Sequence, residues 1–213
     1  MSTLPNNAKA VIALTSWKAR INTVGLTIFS LLKQCPKYHI VLTLSSDEFP
    51  SKEAELPNDL LTLQDKYIEI LWIKPNLKSF KKWIFAAMKW NTVPVISADD
   101  DMIYTTNFAD ELYNEHKALP NAVISYKTAK HNPPNPCGLA SLYPPTIFPL
   151  FFNAFSNYTI THLQDDRFLM EVCNKHHITI KGLHDYYPGF FHDEASPING
   201  SSNRPAWQAA QRY

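Results

Sequence analysis

Val93-Pro94-Val95-Ile96-Ser97-Ala98-Asp99-Asp100-Asp101, residues 93–101, passes from a β-branched apolar run straight into three consecutive carboxylates. A short apolar run bounded by a turn signal reads as a strand buried on both faces, and such strands belong to parallel sheets covered by helices. Towards the N-terminus, Ala10 to Thr15, His39 to Leu44 and Tyr67 to Ile73 are runs of the same kind. Helical spacing fills the gaps between them. Val24, Ile28, Leu31 and Leu32 recur on one face and stop by Cys35-Pro36, because the residue before proline disfavours the α region. Pro57 to Gln64 reads as a short helix. Ser79 to Trp90 reads as a longer one, with Phe80, Trp83, Ile84, Ala87 and Met88 on its apolar face.

Towards the C-terminus, a helix is expected over Asn107 to His116 and a strand over Ala122 to Tyr126. Six prolines then fall between Lys127 and Pro149, which reads as a structured loop. A helix starts near Asp165, with Phe168, Leu169, Val172, Cys173 and His176 on one face, and Ile178 to Leu183 is a last strand. Alternating strands and helices predict an α/β fold, a Rossmann-like, mostly parallel sheet with helices on both faces. Ligands of such sheets bind beyond the carboxyl ends of the strands. The segments to inspect are therefore Ser16–Arg20, Ser45–Glu48, Lys74–Lys82 and Asp99–Asp101.

Composition narrows the chemistry. A chain of 213 residues with 45% hydrophobic and 18% charged residues suits one globular domain, not a coiled coil or a disordered tail. Its five glycines, Gly25, Gly138, Gly182, Gly189 and Gly200, are widely spaced, which excludes both the Walker loop and the GxGxxG dinucleotide turn. A net charge of +1 without a basic run argues against a nucleic-acid partner. Cys35, Cys137 and Cys173 form neither a disulfide framework nor a zinc pattern, which favours a cytoplasmic setting. Met1 to Lys9 lacks the apolar core of a signal peptide, and Ile147 to Phe152 is too short to span a bilayer. Any membrane association is expected to be peripheral.

Three constellations carry chemistry. Asp99-Asp100-Asp101 repel one another unless a cation neutralises them, and oxygen-only ligands at such a turn suit Mg²⁺ or Mn²⁺; the alternative is a solvated acidic turn that caps a helix. Asn76 to Lys82 places Lys78, Lys81 and Lys82 at a helix start, with Ser79 as the expected N-cap. Lysines there are useful if a phosphate also binds, and otherwise form a basic face. Gln164-Asp165-Asp166-Arg167 opens another helix, where an acid serves either as a cap or as a proton acceptor. His184 and His192 are candidates to complete a metal site. Trp17, Tyr143, Phe151, Phe152 and Tyr158 are either core aromatics or stacking platforms for a base or sugar.

Taken together, Ala13-Leu14-Thr15-Ser16-Trp17-Lys18-Ala19-Arg20-Ile21, Asn76 to Lys82, Ile96 to Asp101 as a DXD element, and Gln164 to Phe168 resemble the bacterial GT-A fold glycosyltransferases of capsular and lipopolysaccharide sugar transfer. The resemblance spans most of residues 10–183 and implies a single catalytic domain over 1–183, followed by a tail or lid over 184–213. It implies that Thr15, Ser16 and Arg20 face the nucleotide, with Asp47 towards the base, Lys78, Lys82 and Asp100 near the donor, and Asp99 and Asp101 as metal ligands. Asp165 or Asp166 matches the catalytic base, and His184 or His192 the C-terminal metal histidine. The implied cofactor is Mn²⁺ or Mg²⁺. The implied partners are a nucleotide diphosphate sugar, with a UDP-sugar favoured, and a saccharide or lipid-linked saccharide acceptor, in the cytoplasm or peripheral at the inner membrane face. The short, Gly-poor segment around Pro136-Cys137-Gly138-Leu139 departs from the pattern on the acceptor side. The expected reaction is inverting sugar transfer. A metal-dependent nucleotidyl or phosphoryl transferase and an inert nucleotide-sugar-binding module are the competing readings.

Overall fold

The computed structural model describes residues 4, 7–64, 66–127, 140–156, 165–184 and 188–192. Its centre is a seven-stranded sheet. β1 (Ala10–Thr15) is buried along almost its whole length, as its unbroken apolar sequence requires of a strand covered on both faces. It pairs in parallel with β2 (Tyr38–Ser45) on one side and with β4 (Val95–Ala98) on the other. Beyond β2 lies the edge strand β3 (Ile68–Ile73). Beyond β4 lie β7 (Ala140–Tyr143), β6 (Val123–Lys127) and β8 (Ile180–His184), so the spatial order is β3-β2-β1-β4-β7-β6-β8. β7 runs antiparallel to both neighbours, and every other pairing in this sheet is parallel. A separate ribbon pairs β5 (Met102–Tyr104) with β9 (Gly189–Phe191).

Helices cover both faces. α1 (Val24–Leu31) and α4 (Phe108–Ala118) contribute Val24, Ile28, Leu31, Phe108 and Leu112 to a core with Ile12, Leu14, Leu42 and Ile124. On the opposite face, α3 (Lys81–Lys89), α5 (Phe148–Ser156) and α6 (Asp165–Lys175) pack on Val11, Ala13, Val41 and Val123. Trp83 is the hub there: it stacks on Phe168 with rings 15° apart and meets Phe151 edge-on at 5.5 Å. The short α2 (Asn58–Leu63) buries Leu60 and Leu63 beside the first core. Among the described residues, no helix is long and apolar enough to cross a membrane.

The α/β architecture matches the expectation, with three corrections. The segment read as a loop over 127–149 contains β7 in the middle of the sheet and the start of α5. Pro149 is tolerated there because the first helical turn needs no donor from it. Ser79 does not cap α3: Lys78–Phe80 is a 3-10 turn that runs into the helix, and neither start has a side-chain cap. The β5–β9 ribbon was not anticipated, and it brings part of the chain beyond residue 184 back to the sheet. The acceptor-side segment Pro136–Leu139, together with Cys137, Tyr158 and residues 193–213, lies outside the described residues.

The strand order reverses at β1. The carboxyl ends of β1 and β4 therefore lie side by side where the order reverses, and Ser16–Arg20 and Asp99–Asp101 follow those two ends directly.

Candidate functional site

The acidic turn is held by side chains from three elements. Ser16 Oγ donates to Asp100 Oδ2 at 2.6 Å, and Arg20 Nη1 donates to Asp100 Oδ1 at 2.9 Å. The same guanidinium nitrogen lies 3.0 Å from Asp101 Oδ2. Arg20 and Asp100 are only 6% and 5% exposed, so this is a buried charged contact. From α1, Thr27 Oγ1 donates to the Asp100 carbonyl at 2.9 Å, while the Tyr104 hydroxyl accepts the Asp99 N–H at 2.7 Å. The turn is thus fixed through its backbone as well as its carboxylates.

Asp99 turns the other way. Its Oδ1 accepts from Lys82 Nζ at 2.8 Å, and the same ammonium lies 3.3 Å from Asp165 Oδ2 at the start of α6. Lys82 is 5% exposed. Burial opposes its charge, but Asp165, Asp99 and Asp166 outweigh that and hold its pKa well above the ordinary lysine value. Lys81 is likewise buried and pairs with Glu48 at 3.1 Å. The lysines that the sequence suggested for a phosphate are therefore largely committed to carboxylates, and Lys78 is exposed on the preceding turn.

Five carboxylates, Asp99, Asp100, Asp101, Asp165 and Asp166, surround two cationic groups, Arg20 and Lys82. The shortfall of positive charge shows on Asp101. Burial and the neighbouring Asp99 push its carboxyl up to about 7 in spite of Arg20, and its Oδ1 is buried without a hydrogen-bond partner. Burial also raises Asp100, with Ser16 and Arg20 pulling it back. A hard divalent cation fits this deficit. Among the described residues no group of three or more His, Cys, Asp or Glu side chains is arranged as a metal site, so protein ligation would come from Asp99 and Asp101 with substrate oxygens completing it, a usual arrangement for Mg²⁺.

The two histidine candidates part company. His192 donates its backbone N–H to the Asp101 carbonyl at 2.9 Å, and its Nε2 lies 2.9 Å from Thr27 Oγ1. Since the Thr27 hydroxyl proton is committed to Asp100, His192 donates through Nε2. His184 sits instead against Tyr126 and pairs with Glu111 of α4 at 3.0 Å, so the structure does not bring it to the acidic turn.

Thr15 ties β1 to β2, its Oγ1 donating to the Thr43 carbonyl at 2.6 Å. Asp47 follows β2 and accepts the Asn76 N–H at 3.0 Å, which fastens its loop to the segment before α3. Tyr143 and Phe151 are core aromatics around Trp83, although burial, Asp166 and Asp165 also raise the Tyr143 hydroxyl well above its ordinary value. Thr27 and Tyr104 were missed from sequence. A threonine among Val24, Ile28 and Leu31 on a buried helix face was the available signal for the first, and a tyrosine three residues after the carboxylates for the second.

No protein-family model and no curated protein matches this sequence. A solved structure does match in shape: residues 1–349 of TarS from S. aureus, a wall teichoic acid glycosyltransferase, with a TM-score of 0.56 at 11% identity. The fold is GT-A-like. The match covers 83% of this chain and 58% of the TarS structure, so at this identity it speaks for the fold alone.

Proposed function

We propose that this chain transfers a sugar from a nucleotide diphosphate sugar, with a UDP-sugar favoured, to an acceptor hydroxyl in the synthesis of a bacterial surface polysaccharide. The observation that carries this reading is the under-neutralised acidic turn at the point of the sheet where strand order reverses. The GT-A-like fold shared with TarS supports it. Residues 1–183 form the catalytic unit in this reading, and the segment from 184 adds β9 beside the turn. The protein acts on the cytoplasmic side, with any membrane contact peripheral.

Asp99 and Asp101 would hold Mn²⁺ or Mg²⁺, whose charge, when the ion is bound, neutralises the diphosphate leaving group. Arg20 and Ser16 hold the Asp100 carboxylate and, with Arg20 beside Asp101, fix the turn. Asp47 stands at the end of β2, where a nucleoside base would lie. The acceptor hydroxyl gives its proton to a carboxylate in the first turn of α6. Asp166 is the better placed of the pair, because Asp165 is buried and already paired with Lys82. Attack from this side displaces the diphosphate directly, with inversion.

The test is a thermal-shift panel of UDP-, GDP-, CMP- and dTDP-sugars with and without Mn²⁺. One nucleotide class should raise the melting temperature only when the metal is present, by the mass action of binding to the folded state. Asp101→Ala should abolish that shift and any transfer. An Asp101→Ala chain that keeps the full response would overturn the metal assignment, and release of pyrophosphate would point to nucleotidyl transfer instead.

A further inference from the structure

We propose that Lys82 is a positioning residue that fastens the start of α6, through Asp165, to the acidic turn at Asp99, and so fixes the acceptor side of the site relative to the donor side. The function assigned to this tie rests on the glycosyl-transfer reading, while the tie itself rests on the structure.

Lys82 lies in the first turn of α3, and its ammonium reaches two carboxylates that no backbone pairing joins. Asp99 follows β4, at 2.8 Å, and Asp165 opens α6, at 3.3 Å. All three belong to different elements. The side chains of Lys82 and Asp165 are 6% and 7% exposed, so the Asp165 charge leans on Lys82, while Lys82 also keeps Asp99. One turn deeper, Phe168 stacks on Trp83, which adjoins Lys82 in sequence. The α3–α6 contact therefore has an apolar floor and a charged upper edge. The floor sets the spacing of the helices, and the charged edge sets where the first turn of α6 points. That turn also carries Asp166.

This role differs from a phosphate-binding lysine, and the two make opposite predictions. An ammonium that held the diphosphate would, on removal, weaken nucleotide binding by roughly tenfold or more. An ammonium that positions α6 would leave nucleotide binding in place and slow turnover, since a displacement of about 1 Å in a reacting geometry costs on the order of 100-fold.

The experiment compares wild type with Lys82→Met, Lys82→Arg, Asp165→Asn and the Lys82→Met/Asp165→Asn double variant. Thermal denaturation of these chains measures the tie whatever the chemistry. Lys82→Met should lower the melting temperature by about 10 °C, because it strands buried carboxylates, Asp165→Asn should lower it by less because Lys82 keeps Asp99, and the double variant should lose much less than the two combined. Titration calorimetry with UDP and Mn²⁺ should give Lys82→Met a near-wild-type affinity. Turnover with the donor found in the nucleotide panel should show kcat falling on the order of 100-fold at little-changed donor KM, with Lys82→Arg restoring most of it. Additive melting losses would refute the tie, and an affinity for UDP reduced tenfold or more would refute the positioning role. If wild type neither binds nor turns over any nucleotide sugar, the glycosyl-transfer reading fails, and the denaturation cycle still decides whether Lys82 joins α6 to the turn.

Discussion

Replacing Asp101 by asparagine should flatten the pH dependence of stability in the metal-free protein. Asp101 ionises at about 7 in the folded chain against an ordinary value of 3.8, because it is buried beside Asp99. A carboxyl that ionises later in the folded chain than in the unfolded one stabilises the fold while it stays protonated. That contribution is complete below 3.8, drains as the pH rises, and is gone above about 7. At about 1.4 kcal/mol per pH unit the whole effect is about 4 kcal/mol, of which about 2.5 kcal/mol falls between pH 5 and 8. For a chain of this size that is roughly 5–10 °C in melting temperature. Asp100, also raised, adds in the same direction, while His39, whose burial holds its ring below the ordinary value, runs the other way. The quantity to measure is therefore the difference between wild type and Asp101→Asn. Urea denaturation in EDTA at pH 5, 6, 7 and 8 should show wild type losing stability relative to the variant as the pH rises. Parallel profiles, or a wild type that gains on the variant, would refute the view that Arg20 only partly neutralises Asp101.

Two further substitutions test the frame around the turn. Arg20→Met leaves Asp100 and Asp101 buried without their guanidinium and should cost about 3–5 kcal/mol in urea denaturation. Adding Asp100→Asn should recover part of the loss, and a wild-type midpoint for Arg20→Met would show that the contact carries no weight. Gly189→Ala places a Cβ against the backbone carbonyl of Ile103, so β9 must move off β5. Amide exchange at Thr105, whose N–H donates to the Pro188 carbonyl, should accelerate while exchange along β1 is unchanged, and equal protection at Thr105 in both chains would contradict that reading.

Much of the fold was legible because β1, β2 and β4 are buried on both faces, and only apolar, β-branched runs survive such a position. β7 escaped notice because its four residues, Ala140 to Tyr143, include a serine and run straight into two prolines, so neither length nor period marks it. What makes it a strand is the slot between β4 and β6, which is a property of the assembled sheet. At the site, the acidic triplet and Asp165-Asp166 could be read from composition and position. Their partners could not be assigned, because a lysine near a helix start looks the same whether it meets a phosphate or a carboxylate. The long-range contacts of Lys82 decide between these, and they join residues that are distant in sequence.

The β5–β9 ribbon sets an order of events for a chain emerging from the ribosome. The strands that build the sheet around β1 are synthesised early, and β5 follows the acidic turn directly, yet its partner β9 is among the last described residues to be made. Until Gly189–Phe191 emerges, β5 has an unpaired edge and the Asp101 carbonyl has no His192 N–H to accept. A nascent or C-terminally clipped chain would thus carry the carboxylates without the finished turn.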